Sequence, residues 1–163
     1  MGSCAMKVAV VSDTHLTDVT PEFERICRSY LKDVDLVIHL GDWTDVKIFD
    51  YLSQFKLLGV SGNSDNEAIK RALPAKRIVR IHGYRVGITH GWGSPYDLVP
   101  RLRKEFKDVD VILFGHSHIP FQMMENGVLW LNPGSVFHGR GNVERSFALL
   151  YLEERVWAEI MML

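Results

Sequence analysis

Lys7-Val8-Ala9-Val10-Val11-Ser12-Asp13-Thr14-His15 is the stretch on which the reading of this chain turns. A short valine-rich run bounded by polar residues reads as a buried strand over Lys7–Ser12. An acid and an imidazole follow it directly. The pattern returns along the chain: Asp35–Leu40 ends at Gly41-Asp42, Lys56–Val60 at Gly62-Asn63, Arg85–Thr89 at His90-Gly91, and Val109–Phe114 at Gly115-His116-Ser117-His118. Each of these apolar runs closes on side chains that bind metals.

Helical segments separate the first strands. Thr20-Pro21-Glu22 offers an N-cap, a proline at the first helical position and an early acid. Phe23, Ile26, Cys27, Tyr30 and Leu31 follow at helical spacing, so one face packs on the sheet. Thr44 is expected to cap a helix carrying Val46, Phe49 and Leu52, and a short helix from about Asn66 to Leu73 stops at Pro74. This alternation predicts a sheet whose first half is parallel. The second half changes character. Arg77–Ile81 and Arg85–Thr89 flank His82-Gly83-Tyr84 as a hairpin, and Ser94-Pro95 is expected to start a helix with Leu98, Leu102 and Phe106 on one face. Asn126-Gly127 between Phe121–Glu125 and Val128–Leu131 is a type I′ hairpin signal. Ser146–Leu152 and Val156–Met161 form a last pair. The expected fold is α/β: a mixed sheet, or two mixed sheets packed face to face with helices outside.

Composition narrows the function classes. The chain has 163 residues, 47% hydrophobic and 24% charged, which suits one domain with a single core. A formal net charge of -1 gives no basic surplus for bulk nucleic-acid or anionic-membrane binding, and no apolar run is long enough to span a bilayer. Cys4 and Cys27 form no Cys-x-x-Cys pair, which argues against a disulfide framework or thiolate metal site and for a reducing cytoplasm. Met1-Gly2-Ser3-Cys4-Ala5 lacks a signal-peptide apolar stretch and reads as a non-native leader with Met6 as the natural start. The leader is assigned to 1–6 and a single domain to 7–163.

In an open α/β sheet, ligands bind outside the carboxyl ends of the strands. Asp13, His15, Asp42, Asn63, His90, His116 and His118 would therefore converge at one edge. Two dications about 3.5–4 Å apart can share one carboxylate, and Asp42 is suited to bridge them. Imidazoles and the Asn63 amide donate without adding negative charge. Mixed nitrogen and oxygen ligation favours Mn, Fe, Co, Ni or Zn over calcium. Any one of these residues alone is ordinary polar punctuation at a strand end; the ordered set is what points to a metal centre.

Ser12-Asp13-Thr14-His15, Gly41-Asp42, Gly62-Asn63, Thr89-His90-Gly91 and Gly115-His116-Ser117-His118 resemble the successive motifs of the calcineurin-like metallophosphoesterase superfamily. Asn132-Pro133-Gly134-Ser135 is similar to a signature of its small bacterial and archaeal phosphodiesterase subgroup, which is related to the retromer small subunit. The resemblance spans Lys7 to about Gly141 and implies a two-sheet sandwich flanked by helices. It implies two divalent ions, manganese foremost: one held by Asp13, His15, Asp42 and His118, the other by Asp42, Asn63, His90 and His116. A hydroxide bridging the metals would attack the phosphorus of a small-molecule phosphodiester, with Asp42, Asn63 and His116 as the catalytic set and Asn63 and His90 contacting substrate. Many relatives carry His after the motif Asn as the leaving-group acid; here that position is Ser64. Alternatives are a phosphomonoesterase or broad phosphatase on the same site, a scaffold like the retromer small subunit, and a metal sensor. Short edge strands could also pair in a homodimer.

Other residues carry two readings each. His39 is expected as a hydrogen-bonded core histidine, and Asp65 as a cap or turn residue that could instead orient a ligand. Ser64 is expected as a small turn residue, and His82 as a solvated hairpin-tip residue. Trp43 and Trp92 follow ligand positions, where they pack or wall a substrate pocket. Asn132-Pro133-Gly134-Ser135 is either an anion nest or a tight turn. His138 and Arg140, in the glycine-rich stretch beyond it, are candidates for leaving-group protonation and phosphate contact, or surface residues.

Overall fold

The computed structural model describes residues 5–137 and 144–163, so the candidates His138 and Arg140 lie outside the described residues. One five-stranded sheet contains β1 (Met6–Val11), β2 (Leu36–His39), β3 (Leu57–Gly59), β9 (Ser146–Leu152) and β10 (Val156–Met162), in the order β10-β9-β1-β2-β3. The other contains β4 (Lys76–Ile81), β5 (Tyr84–Thr89), β6 (Val111–Leu113), β7 (Phe121–Glu125) and β8 (Val128–Asn132), in the order β4-β5-β6-β8-β7. β1, β2 and β3 run parallel, as do β5, β6 and β8, while antiparallel strands close the remaining positions. The fold is a sandwich of two mixed sheets flanked by helices.

The period of two along a strand explains why β1 shows no polar alternation. Val8 and Val10 point between the sheets, where they pack with Ile38, Leu40, Val86, Ile88, Val111, Leu113 and Leu131. Ala9 and Val11 point the other way, under Phe23 and Cys27 of α1 (Pro21–Tyr30) and Ile48 and Leu52 of α2 (Val46–Leu52). Both faces of the strand are covered, so both must be apolar. On the far side of the second sheet, Leu98 and Leu102 of α4 (Leu98–Arg103) pack on Ile112 and Trp130.

Two helix starts depart from the sequence expectation. Asp45, not Thr44, caps α2, its carboxylate accepting from the Lys47 amide at 2.9 Å. Thr44 has φ 80 and gives its amide to Asp65, which takes it out of the capping position. α4 begins at Leu98 rather than at Ser94-Pro95. The intervening loop is held otherwise: Gly93 has φ 76, and the Ser94 carbonyl accepts from the Arg101 guanidinium. Thr20 caps α1 by accepting from the Phe23 amide at 3.1 Å, and Asn66 caps α3 (Glu67–Ala72) through the Ile69 amide.

Candidate metal centre

The loops leaving β1, β2, β3, β5, β6 and β8 meet at one edge and are tied to one another by backbone hydrogen bonds. Asp13 and His15 donate their amides to the carbonyls of Gly41 and Asp42 at 3.0 and 3.1 Å. Gly115 donates to the His90 carbonyl at 3.0 Å, and Val136 to the Ser12 carbonyl at 3.3 Å. The crossing is too close for side chains at two positions. A Cβ on Gly62 would stand 2.2 Å from Asp42 Oδ1, and one on Gly115 would stand 2.2 Å from Ser12 Oγ. Glycine there is a condition of bringing the loops together.

Most of the candidate ligands sit on strained backbone. Asp13, His15, Asp42, His116 and His118 all have positive φ, between 49° and 74°. The left-handed region costs an L-residue roughly 1–2 kcal/mol, and Asp and His enter it more readily than β-branched residues do. Strain of this kind clusters at functional sites, held in place by the surrounding packing.

The donor atoms converge. Asp13, His15 and His118 form one group, and Asp13, Asp42 and His90 another, with ligand atoms within 4.8 Å of one another in each. His118 Nε2 lies 3.1 Å from Asp13 Oδ1, and His15 Nε2 lies 3.3 Å from His118 Nε2. Asp42 Oδ2 stands 3.5 Å from His15 Nε2 and 3.2 Å from His90 Nε2, so it touches both groups. Asp13 Oδ1 and His90 Nε2 are buried without an aligned hydrogen-bond partner. Buried polar atoms are normally satisfied, so this pair calls for something the side chains themselves do not supply. The other ring nitrogen of His90, Nδ1, donates to the Leu40 carbonyl at 2.8 Å, which turns Nε2 toward the carboxylates and makes it the nitrogen that could ligate an ion once its proton is lost.

Electrostatics tell the same story. Burial would raise the Asp13 carboxyl, but the imidazoles of His118 and His15 beside it hold it well below the usual range. Burial likewise opposes ionisation of Asp42, and His90 overcomes it. The imidazoles respond in kind: Asp13 raises His15, while His90, despite its burial, is pushed up to about 9 by Asp42 and Asp13. Two buried anions thus draw protons onto neighbouring imidazoles. A divalent cation bound there would do the same neutralising and release those protons.

Asn63 and His116 are not gathered with these donors in the same way. Asn63 is exposed, although its neighbours Gly62 and Ser64 touch Asp42. His116 donates Nε2–H to the Gly93 carbonyl at 2.8 Å, and its ring lies 5.2 Å from that of His90. That tautomer makes Nδ1, rather than Nε2, the nitrogen of His116 that could ligate an ion.

The frame behind the donors explains the remaining polar residues. His39 is fully buried: Nδ1 accepts from the Gly41 amide at 3.0 Å, Nε2 meets Thr14 Oγ1 at 3.2 Å, and the ring stacks on Trp43 at 3.7 Å. Burial lowers it to about 3, so it stays neutral as a core histidine. Trp43 is wholly buried and donates Nε1–H to the Val60 carbonyl, so it packs rather than walls a pocket. Trp92 is 41% exposed. Asp65 does not cap α3. Its carboxylate accepts three amides, from Asp42, Thr44 and Gly62, at 2.9, 2.9 and 2.7 Å, and so locks the Asp42 loop against the Asn63 loop. Ser64 gives Asp42 both its amide, to Oδ1 at 2.8 Å, and its hydroxyl, to Oδ2 at 3.2 Å.

The Asn132-Pro133-Gly134-Ser135 turn is a strut, not an anion nest. Asn132 Nδ2 donates to the Gly115 carbonyl and Ser117 Oγ, its Oδ1 takes the Gly134 amide, and Ser135 Oγ donates to the Asp13 carbonyl at 2.7 Å. Sequence reasoning missed that this turn bears on the Asp13 and His116 loops. The only available signal was its polar, wholly buried character at the end of a strand, and burial is a property of the fold.

Buried carboxylates and imidazoles at the carboxyl edge of a two-sheet α/β sandwich define a metal-binding hydrolase architecture. The calcineurin-like phosphoesterase superfamily domain matches residues 6–155, and the chain belongs to that family. A probable metallophosphoesterase of Methanocaldococcus jannaschii is 35% identical over 160 residues, covering 96% of this chain and 81% of the relative. Phosphodiesterase YfcE of Escherichia coli K12 is 25% identical over 167 residues, covering 89% of this chain and 87% of the relative. Among solved structures, a Thermotoga maritima protein shares 36% identity at a TM-score of 0.71, covering 97% of this chain and 99% of that one. Vps29 of Chaetomium thermophilum shares the fold, with a TM-score of 0.72 at 23% identity over 96% of this chain and 97% of its own. Among the described residues, no helix is long and apolar enough to cross a membrane.

Proposed function

We propose that the chain hydrolyses small-molecule phosphodiesters at a two-metal centre. The observation that carries this reading is the pair of donor groups linked by Asp13 and Asp42, with Asp13 Oδ1 and His90 Nε2 buried and unsatisfied. Asp13, His15, Asp42 and His118 would hold one ion, and Asp42, Asn63, His90 and His116 the other. Manganese is the leading choice, and Fe, Co, Ni and Zn suit the same donors. Two such ions would lower the pKa of bound water and hold the phosphoryl oxygens. Asp13 and Asp42 contribute only two negative charges to the set, so the loaded centre would attract an anionic diester.

The chain's own residues fix the rest. Asp65 and Ser64 hold Asp42 in place, and the Leu40 carbonyl orients His90. Ser64 stands where a leaving-group acid occurs in many relatives, but its hydroxyl is engaged by Asp42. Rate should therefore depend steeply on leaving-group acidity. The name of the Escherichia coli relative, a phosphodiesterase, also supports diester over monoester. A cytoplasmic setting belongs to the proposal, since Cys27 is a buried free thiol. Homodimerisation through an edge strand belongs to it too, and light scattering would detect the doubled mass.

The test is turnover of an aryl phosphodiester beside its monoester, by metal-stripped protein reloaded with Mn, Ni, Co or Zn. Metal-restored diester hydrolysis that is absent from a folded Asp42→Asn variant supports the proposal. Preference for the monoester moves the reading to a phosphomonoesterase. No turnover with both sites verified as occupied overturns the enzyme reading.

A further inference from the structure

Beside the metal centre runs a groove of about 600 Å3, shared by two candidate ligands, Asn63 and His90, and by Trp92, Leu73, Pro74 and Lys70. Its far wall is the end of α3 and the turn into β4, and its near wall is the loop that follows His90. We propose that this groove is a substrate subsite that binds a planar aromatic group, aryl or nucleoside, carried on the phosphoryl group as its non-leaving substituent. The inference rests on the phosphoesterase reading and adds the class of ester that the site selects.

Position makes the case first. The groove starts at Asn63 and His90, so a phosphoryl group held there has its substituent beside Trp92. Chemistry makes it second. Leucine, proline and indole surfaces suit a ring more than a hydrated polyol, and an exposed indole presents a face for stacking. The other tryptophans are engaged elsewhere: Trp43 stacks on His39, Trp157 stacks on Tyr151 at 4.0 Å, and Trp130 is buried in the core under α4. Trp92, by contrast, is 41% exposed two residues from a candidate ligand. Charge makes it third. Lys70, Lys76 and Glu105 line the groove, and Lys76 is paired with Glu105 at 2.8 Å, so Lys70 leaves the lining with a positive balance that favours an anionic ester.

Two p-nitrophenyl diesters test the proposal. Both release p-nitrophenolate; one carries thymidine on the phosphorus and the other a methyl group. The metal-loaded protein should prefer the thymidine ester in kcat/KM by about five- to 150-fold, the range that ~1–3 kcal/mol of base–aromatic stacking would give. In Trp92→Ala that preference should fall toward unity through KM, and in Trp92→Phe most of it should return. Tyr96→Ala removes the most exposed aromatic of the same loop, 76% exposed, and should keep the preference. A second readout needs no turnover. Titrating phenyl phosphate into the protein should shift the Trp92 indole N–H resonance, assigned with Trp92→Phe, far more than methyl phosphate does. An equal preference for both esters, or a Trp92 resonance indifferent to phenyl phosphate, overturns the subsite. Absence of turnover with a selective Trp92 shift would leave the subsite standing and sink the hydrolase reading instead.

Discussion

The two halves of the candidate metal centre are built differently. Around Asp13, His15, His118, Asp42 and His90, the side chains already face one another, on backbone pinned by cross-loop hydrogen bonds and by the carboxylate of Asp65. Asn63 is exposed on a loop tip, and His116 points Nε2 at the Gly93 carbonyl. The first half is preorganised by the fold, and under the two-metal proposal the second would have to be completed. The contrast follows from charge: buried carboxylates draw imidazoles toward them because opposite charges attract, whereas a neutral amide has no such pull.

The largest effect should follow from breaking the preorganised half. Asp42→Asn removes the carboxylate that both proposed ions would share, and elemental analysis should find neither ion retained and no turnover. Asn63→Ala sharpens the comparison by striking the other half: one equivalent of metal should remain while diester hydrolysis is lost. If Asn63→Ala also emptied the site, the halves would not be separable.

Next comes a stability effect of a few kcal/mol in the metal-free protein. His39 sits under the Gly41 turn with its pKa lowered by burial from 6.5 to about 3. Above pH 6.5 both folded and unfolded chains are neutral there, and its contribution is intact. Below that, the unfolded chain takes up a proton that the folded chain refuses, so stability falls as pH drops toward about 3. Urea melts across this window should show a shallower loss in His39→Asn than in wild type. Parallel slopes would mean that His39 is not held neutral.

Asp65→Asn should weaken metal affinity by roughly 10–100-fold, the usual loss when an outer partner of a ligand is removed. An amide retains one acceptor oxygen for three amide donors. Calorimetric titration with Mn would read it, and unchanged affinity would deny Asp65 its role. Ser64→Ala is the mildest change, because the amide bond to Asp42 Oδ1 survives. A loss of about 1 kcal/mol, a few-fold in affinity, is the expectation.

Much of this site was legible in the sequence because metal ligands and strand ends are both local signals. The apolar runs marked the strands, and the polar residues that stop them marked the edge where Asp13, Asp42 and His90 meet. What escaped was relational. Asp65 read as a cap because it precedes Asn66, yet its three amide partners come from loops that only the folded sheet brings together. Thr44 read as a cap for the same local reason, and its left-handed backbone instead serves Asp65. The helix expected at Ser94-Pro95 starts at Leu98, since the preceding loop is held by His116 from across the fold and by Arg101 of α4 itself.

The most direct test of the two-metal claim is anomalous scattering from crystals of the manganese-loaded protein. Two peaks flanking Asp42, with Asn63 and His116 turned in to ligate the second, are the predicted result. A single peak on Asp13, His15 and His118, with Asn63 still exposed at full metal saturation, would contradict it.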